Sequence, residues 1–105
     1  FHHIFPKAVL KSSYSSREAD DIANLAFIGG RTNRQISDKA PSMYFAPLIE
    51  KSGTAAFEAQ CIPTDPALLE VNSYREFLVA RRAAIARSLN EFLHDPKPTP
   101  SATGA

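Results

Sequence analysis

The stretch from Ser73 to Pro96, "SYREFLVARRAAIARSLNEFLHDP", restricts what this chain can fold into more than any other. Tyr74, Phe77, Leu78, Ala84, Ile85, Leu89, Phe92 and Leu93 recur at the three- and four-residue spacing that gathers side chains on one helix face. Ser73 and Glu76 have the spacing of a capping box, and Asp95-Pro96 supplies a stop. A helix running to about His94, with that stripe buried, is therefore expected. His94 sits at its C-terminal end, where the helix dipole favours a cation, so it reads as structural.

The rest of a 105-residue chain has to cover the stripe, which leaves room for one small domain. With 44% hydrophobic and 22% charged residues there is enough apolar material for a core, although a domain of this size is marginal unless that core packs well. A net charge of +1 points to no particular partner, so a nucleic-acid binder would have to gather its basic residues on one face. Cys61 is the only cysteine, which excludes an internal disulfide and a Cys-x-x-Cys zinc knuckle and suits a reducing, cytoplasmic setting. It reads as a small buried residue. No apolar run approaches a membrane span, and no basic-then-apolar leader opens the chain. The first residue is Phe, so a fragment or a processed product is expected.

Upstream of the helix, Ile4 and Phe5 before Pro6 suggest a short strand ending near the proline. "KSSYSSREADD" (11–21) is a loop or a short solvated helix. "IANLAFIGG" (22–30), compact and closed by two glycines, reads as a buried strand. In "RTNRQISDKAPS" (31–42), Thr32 or Asn33 can cap a short helix, and Pro41 biases Ala40 out of the helical region. "SMYFAPLIEKSG" and "TAAFEAQC" look like two short helices separated by Gly53, with Pro47 limiting the first. The tail "KPTPSATGA" has nothing to bury and is expected to be disordered.

Polar residues mark the junctions of the first elements: His2 and His3, then Asn24, then Asn33. On these residues the chain resembles the HNH nucleases. "HHIFP" resembles their Asp-His-Ile-x-Pro stretch, "ANLAFI" their Asn-Leu stretch, and "TNRQISDKAPS" their third stretch. The third segment is also similar to that of the HNH domain in RNA-guided CRISPR nucleases. The fullest likeness is to the C-terminal His-x-x-Pro domain of GmrSD-type, modification-dependent restriction endonucleases.

That resemblance implies an α+β domain over residues 1–95: a ββα-metal core at about 1–45, additional helices at about 41–95 including the long C-terminal one, and the tail 96–105. It implies a metal-dependent endonuclease that hydrolyses phosphodiester bonds in DNA, modified or not, as part of a larger restriction or defence protein with a ParB-like NTPase domain upstream. By the resemblance, His3 is the general base and Asn24 braces the loop carrying it. His2 and Asn33 hold one divalent ion, Mg²⁺ or Mn²⁺. Lys7, Arg31, Arg34 and Lys39 lie near the motif and are its candidates for phosphate contact. A reading from a different class is an HNH-like module that binds nucleic acid or a protein without cleaving.

The residue types suit the chemistry. Histidine, with an ordinary pKa of about 6.5, can take a proton from water near neutrality. A divalent ion can act as Lewis acid on the phosphate and the departing oxygen. In the wider HNH group position 2 is more often Asp, and an imidazole there suits transition ions better than Mg²⁺, which prefers oxygen. Plainer roles stand beside each assignment. A lone His3 is a surface residue, Asn24 a strand-edge or turn residue, and Asn33 a helix cap. Arg75, Arg81, Arg82 and Arg87 read as a solvated face of the late helix, with Arg75 and Arg82, a heptad apart, as candidates for phosphate contact. A zinc site from His2, His3, His94 and Cys61 lacks paired ligand spacing, and no structural zinc is expected.

Overall fold

His2 and His3 lie opposite a second short extended segment, and the chain turns inward directly after them. The computed structural model describes residues 2–27, 36 and 38–94. Strand β1 (His2–His3) pairs antiparallel with β2 (Leu25–Ala26), His2 opposite Ala26 and His3 opposite Leu25. The strand stops before the expected position near Pro6. Ile4 and Phe5 form a bend that buries both side chains, and Pro6 instead leads into helix α1 (Lys7–Leu10). Proline suits a helix entrance because its missing N–H would find no intrahelical partner there.

The polar stretch after α1 holds helix α2 (Ser16–Ala19), closed by a reciprocal capping box. The Ser15 hydroxyl accepts from the Glu18 N–H, and the Glu18 carboxylate accepts from the Ser15 N–H. The expected strand over 22–30 is mostly replaced among its described residues. Ile22–Asn24 form a 3₁₀ turn, begun by the Asp21 carboxylate accepting from the Ala23 N–H, and only Leu25–Ala26 are extended in a ladder. Ile22 and Phe27 are 77% and 70% exposed. A local side-chain acceptor here competes successfully with sheet pairing. Residues 28–30 of that stretch, and the cap residues Thr32 and Asn33, lie outside the described residues, as does the tail.

Helix α3 (Pro41–Ser52) starts with Pro41 in its first turn after an extended Ala40, and it runs through Pro47 rather than stopping there. Pro47 is on the exposed side, so the Met43 carbonyl it cannot satisfy is on a solvent-facing turn. Gly53, at a φ of 78°, ends the helix, and α4 (Ala55–Ala59) follows. Short 3₁₀ turns at Pro66–Leu68 and Val71–Ser73 lead into α5 (Tyr74–His94). Because Ser73 is already turned, with its N–H on the Glu70 carbonyl, it does not act as the expected cap to Glu76.

The core forms around Phe5. Its ring packs edge-on against Tyr74 and Phe77, each 5.0 Å away between centroids, and Tyr14 packs edge-on against Tyr74 at the same distance. Tyr44, Phe45 and Phe57 extend the aromatic layer beneath α3 and α4. The expected stripe of α5 is buried only in its first half, through Tyr74, Phe77 and Leu78. Ile85, Leu89, Phe92 and Leu93 are exposed. Arg81, expected on a solvated face, is buried. Its guanidinium donates to the carbonyls of Ala23, Leu25 and Gln60, tying α5 to the turn before β2 and to the end of α4. The result is a mixed helix-and-strand domain with a two-stranded antiparallel sheet and a long last helix. No helix among the described residues is long and apolar enough to cross a membrane.

Candidate active site

Alternate side chains of a strand point to opposite faces, so the neighbours His2 and His3 cannot serve one point while the strand stays regular. The bend after His3 frees the next residues from that alternation, and Asn24 fixes its shape. The Ile4 N–H donates to the Asn24 backbone carbonyl at 2.7 Å. The Phe5 N–H donates to the Asn24 Oδ1 at 2.7 Å, and the Asn24 Nδ2 donates to the carbonyls of Phe5 at 3.0 Å and Ala19 at 2.9 Å. Asn24 is fully buried, so each of these bonds forms away from competing water. The Ile4 carbonyl is taken by the Tyr44 hydroxyl, which links the same bend to α3.

His3 is half-buried. Its Nε2 lies 2.9 Å from the Asp20 Oδ1, while the Lys7 Nζ lies 3.3 Å from the other oxygen, Oδ2. Asp20 caps the C-terminal end of α2, its N–H reaching the Ser16 carbonyl at 3.0 Å. The hydrogen bond from His3, followed by that from Lys7, holds the Asp20 carboxyl below the ordinary carboxylate range. The neighbouring Asp21 pairs with Arg82, and Glu18 with Arg75, so α2 and its flanks are tied by charge to α5.

Of the residues singled out from the sequence, His3, Asn24 and Lys7 come together: His3 and Lys7 share Asp20, and Asn24 holds the Phe5 backbone two residues after His3. Lys7 is thus paired with a carboxylate. His2 is half-buried and its side chain has no hydrogen-bond partner among the described residues. Lys39 is exposed just before α3, with its backbone N–H on the Ile36 carbonyl. Asn33, Arg31 and Arg34 lie outside the described residues. Asp20 was not singled out: in the sequence it is one acid of a polar run, and its contact with His3 spans 17 positions.

Among the described residues no group of three or more His, Cys, Asp or Glu side chains converges as a metal site would. Cys61 is half-buried at a backbone turn rather than deep in the core. His94 ends α5, with its Nδ1 3.3 Å from the Asn90 carbonyl oxygen.

A stretch of 50 residues, 47% of this chain, is 44% identical to an uncharacterized protein of Methanocaldococcus jannaschii. The match takes up 9% of that relative's length, so this chain spans a small part of the protein it is similar to. No family model matches the sequence, and no solved structure matches it.

Proposed function

We propose that this chain is an HNH-type nuclease domain that hydrolyses phosphodiester bonds, most naturally in DNA, with His3 as general base. The observation that carries the reading is the clamp of Asn24 on the Phe5 backbone, two residues after a histidine that ends a strand. A general base works only if it is held in place relative to its water. A buried amide with two hydrogen bonds to the Phe5 backbone in the adjoining bend and a third to the Ala19 carbonyl is suited to that task. The antiparallel β1–β2 pair supports the ββ part of a ββα-metal unit, whose third motif stretch lies mostly outside the described residues.

His2 and Asn33 are the proposed holders of a divalent ion. His2 fits such a role in having an imidazole without a competing hydrogen bond among the described residues, while its nitrogen donor favours Mn²⁺ over Mg²⁺. The ion, when bound, supplies Lewis-acid stabilisation of the phosphate. His3 takes a proton from the attacking water. The water oxygen bonds to phosphorus as the bond to the 3′-oxygen breaks, and that oxygen takes a proton from solvent. The products are a 5′-phosphate and a 3′-hydroxyl. Cytoplasmic restriction of DNA, with the target recognised by other domains of a longer chain, is the setting this reading implies.

Conversion of supercoiled plasmid to nicked circles is the test, with Mg²⁺, with Mn²⁺ and with EDTA. Nicking that needs the metal and falls by ~10²–10⁴ in His3→Ala is expected, the range typical of general-base help. Metal-dependent nicking at the wild-type rate in His3→Ala would overturn the assignment of the base. Tight plasmid binding with no nicking under any metal would favour the non-cleaving module.

A further inference from the structure

We propose that Asp20 is a positioning residue for His3: its carboxylate holds the imidazole proton on Nε2, so that Nδ1 is the atom that faces water as the base. This rests on the nuclease reading for its catalytic meaning, but the arrangement itself stands on contacts in the fold. An ionised carboxylate can only accept hydrogen bonds. At 2.9 Å from the Asp20 Oδ1, the His3 Nε2 must therefore be the donor, and the neutral ring carries its lone pair on Nδ1. Nδ1 has no hydrogen-bond partner among the described residues, so it is open to a proton. The lowered range of the Asp20 carboxyl agrees with its being ionised.

Three features hold the carboxylate in place. Its backbone closes α2, whose start is locked by the Ser15–Glu18 capping box. Its second oxygen is occupied by Lys7, leaving the first for His3. The Asn24 amide binds the Ala19 carbonyl, one residue before Asp20, and the Phe5 peptide, two residues after His3. One buried side chain thus anchors both halves of the His3–Asp20 pair. When His3 takes the proton from water on Nδ1, the ring becomes a cation that already faces a carboxylate. That arrangement stabilises the charge as it forms.

The Lys7 contact makes the inference testable by a near-isosteric change. Lys7 can only donate, so in Asp20→Asn the side-chain oxygen stays toward Lys7 and the NH₂ group faces the His3 Nε2. That nitrogen then has to accept, and the proton moves to Nδ1, where it blocks the base. Long-range proton–nitrogen NMR spectra of the ¹⁵N-labelled chain, in alkaline buffer where imidazoles are neutral, report this directly. The His3 signals are assigned by their loss in His3→Ala. Expected are an Nε2–H ring in the wild type, an Nδ1–H ring in Asp20→Asn, and a return to Nε2–H in Asp20→Glu. An Nδ1–H ring in the wild type, or an unchanged ring in Asp20→Asn, would overturn the proposal.

Plasmid nicking supplies the second readout. Asp20→Asn is expected to lose ~10²-fold or more in rate, with the metal concentration for half-maximal activity unchanged and with recovery in Asp20→Glu. Full nicking activity in Asp20→Asn would also overturn the positioning role. The expected ring forms without any metal-dependent nicking by the wild type would uphold the Asp20–His3 arrangement and sink the nuclease reading instead.

Discussion

Asn24 shows how much one buried amide can hold. It offers one acceptor and two donor hydrogens, and the peptide of Phe5 and the carbonyl of Ala19 use all of them. Replacing it with Ala strands three backbone groups in a site closed to water. Each such group costs about 1–3 kcal/mol. Asn24→Ala is therefore expected to lower unfolding free energy by about 3 kcal/mol or more, a large part of what a small domain has. Asn24→Asp should be nearly as harmful, because a carboxylate cannot donate to the two carbonyls. Urea unfolding followed by circular dichroism measures both. A loss under about 1 kcal/mol in Asn24→Ala would mean that the bend keeps its shape without the clamp. Asn24 stands out in the sequence as a polar residue at an element junction. Asp20 does not, because the polar run around it contains several acids and nothing local distinguishes the one that meets His3.

Among the elements, the end of α4 is built on an unexpected residue. The Ile62 N–H bonds to the Phe57 carbonyl at 2.9 Å, and the Cys61 N–H to the Glu58 carbonyl at 3.0 Å. Together these make a Schellman motif, which requires a left-handed conformation at the residue after the cap. Cys61 occupies it, with φ at 58°. A side chain in that region costs about 1–2 kcal/mol, and glycine avoids most of this while losing some entropy in the unfolded chain. Cys61→Gly is expected to raise stability by about 0.5–1 kcal/mol, which a thermal melt would show as a rise of a few degrees. A fall in melting temperature would indicate that the Cys61 side chain contributes packing that outweighs the strain. The sequence hides this motif because cysteine is no usual signal for a left-handed turn.

At the scale of the whole molecule, only the first turns of α5 pack on the rest of the domain. A helix of 21 residues extends about 31 Å, and the domain measures 54 Å along its longest axis against 28 and 23 Å across. The first turns of α5 cover the core, while Ile85, Leu89, Phe92 and Leu93 continue into solvent. Side chains with no packing partner add little to folding stability. Leu89→Glu combined with Phe92→Glu is thus expected to change unfolding free energy by under about 1 kcal/mol. Urea unfolding at several protein concentrations checks it. A large, concentration-dependent loss would show that this face is covered by another molecule in solution.

Helix formation between residues 74 and 94 was determined locally. Spacing, propensity and the Asp95-Pro96 stop all act within a few residues. The extended-to-helix boundary at Ala40–Pro41 was equally local, since proline restricts its own φ and its predecessor. Which part of the long helix is buried depended on how far the other layer reaches, a property of three-dimensional shape that no periodicity contains. The same holds for Arg81, whose spacing and charge suggest a solvated position but whose guanidinium meets three carbonyls assembled from distant segments. The apolar run 22–30 gave way at its start for two reasons. Asp21 caps a turn within its own neighbourhood, and Asn24 bonds to a Phe5 peptide that only the folded chain brings within reach. His3 and Asp20 meet for the second of these reasons: a short-range interaction acts across 17 positions once β1, α2 and the Asn24 clamp have closed the loop between them.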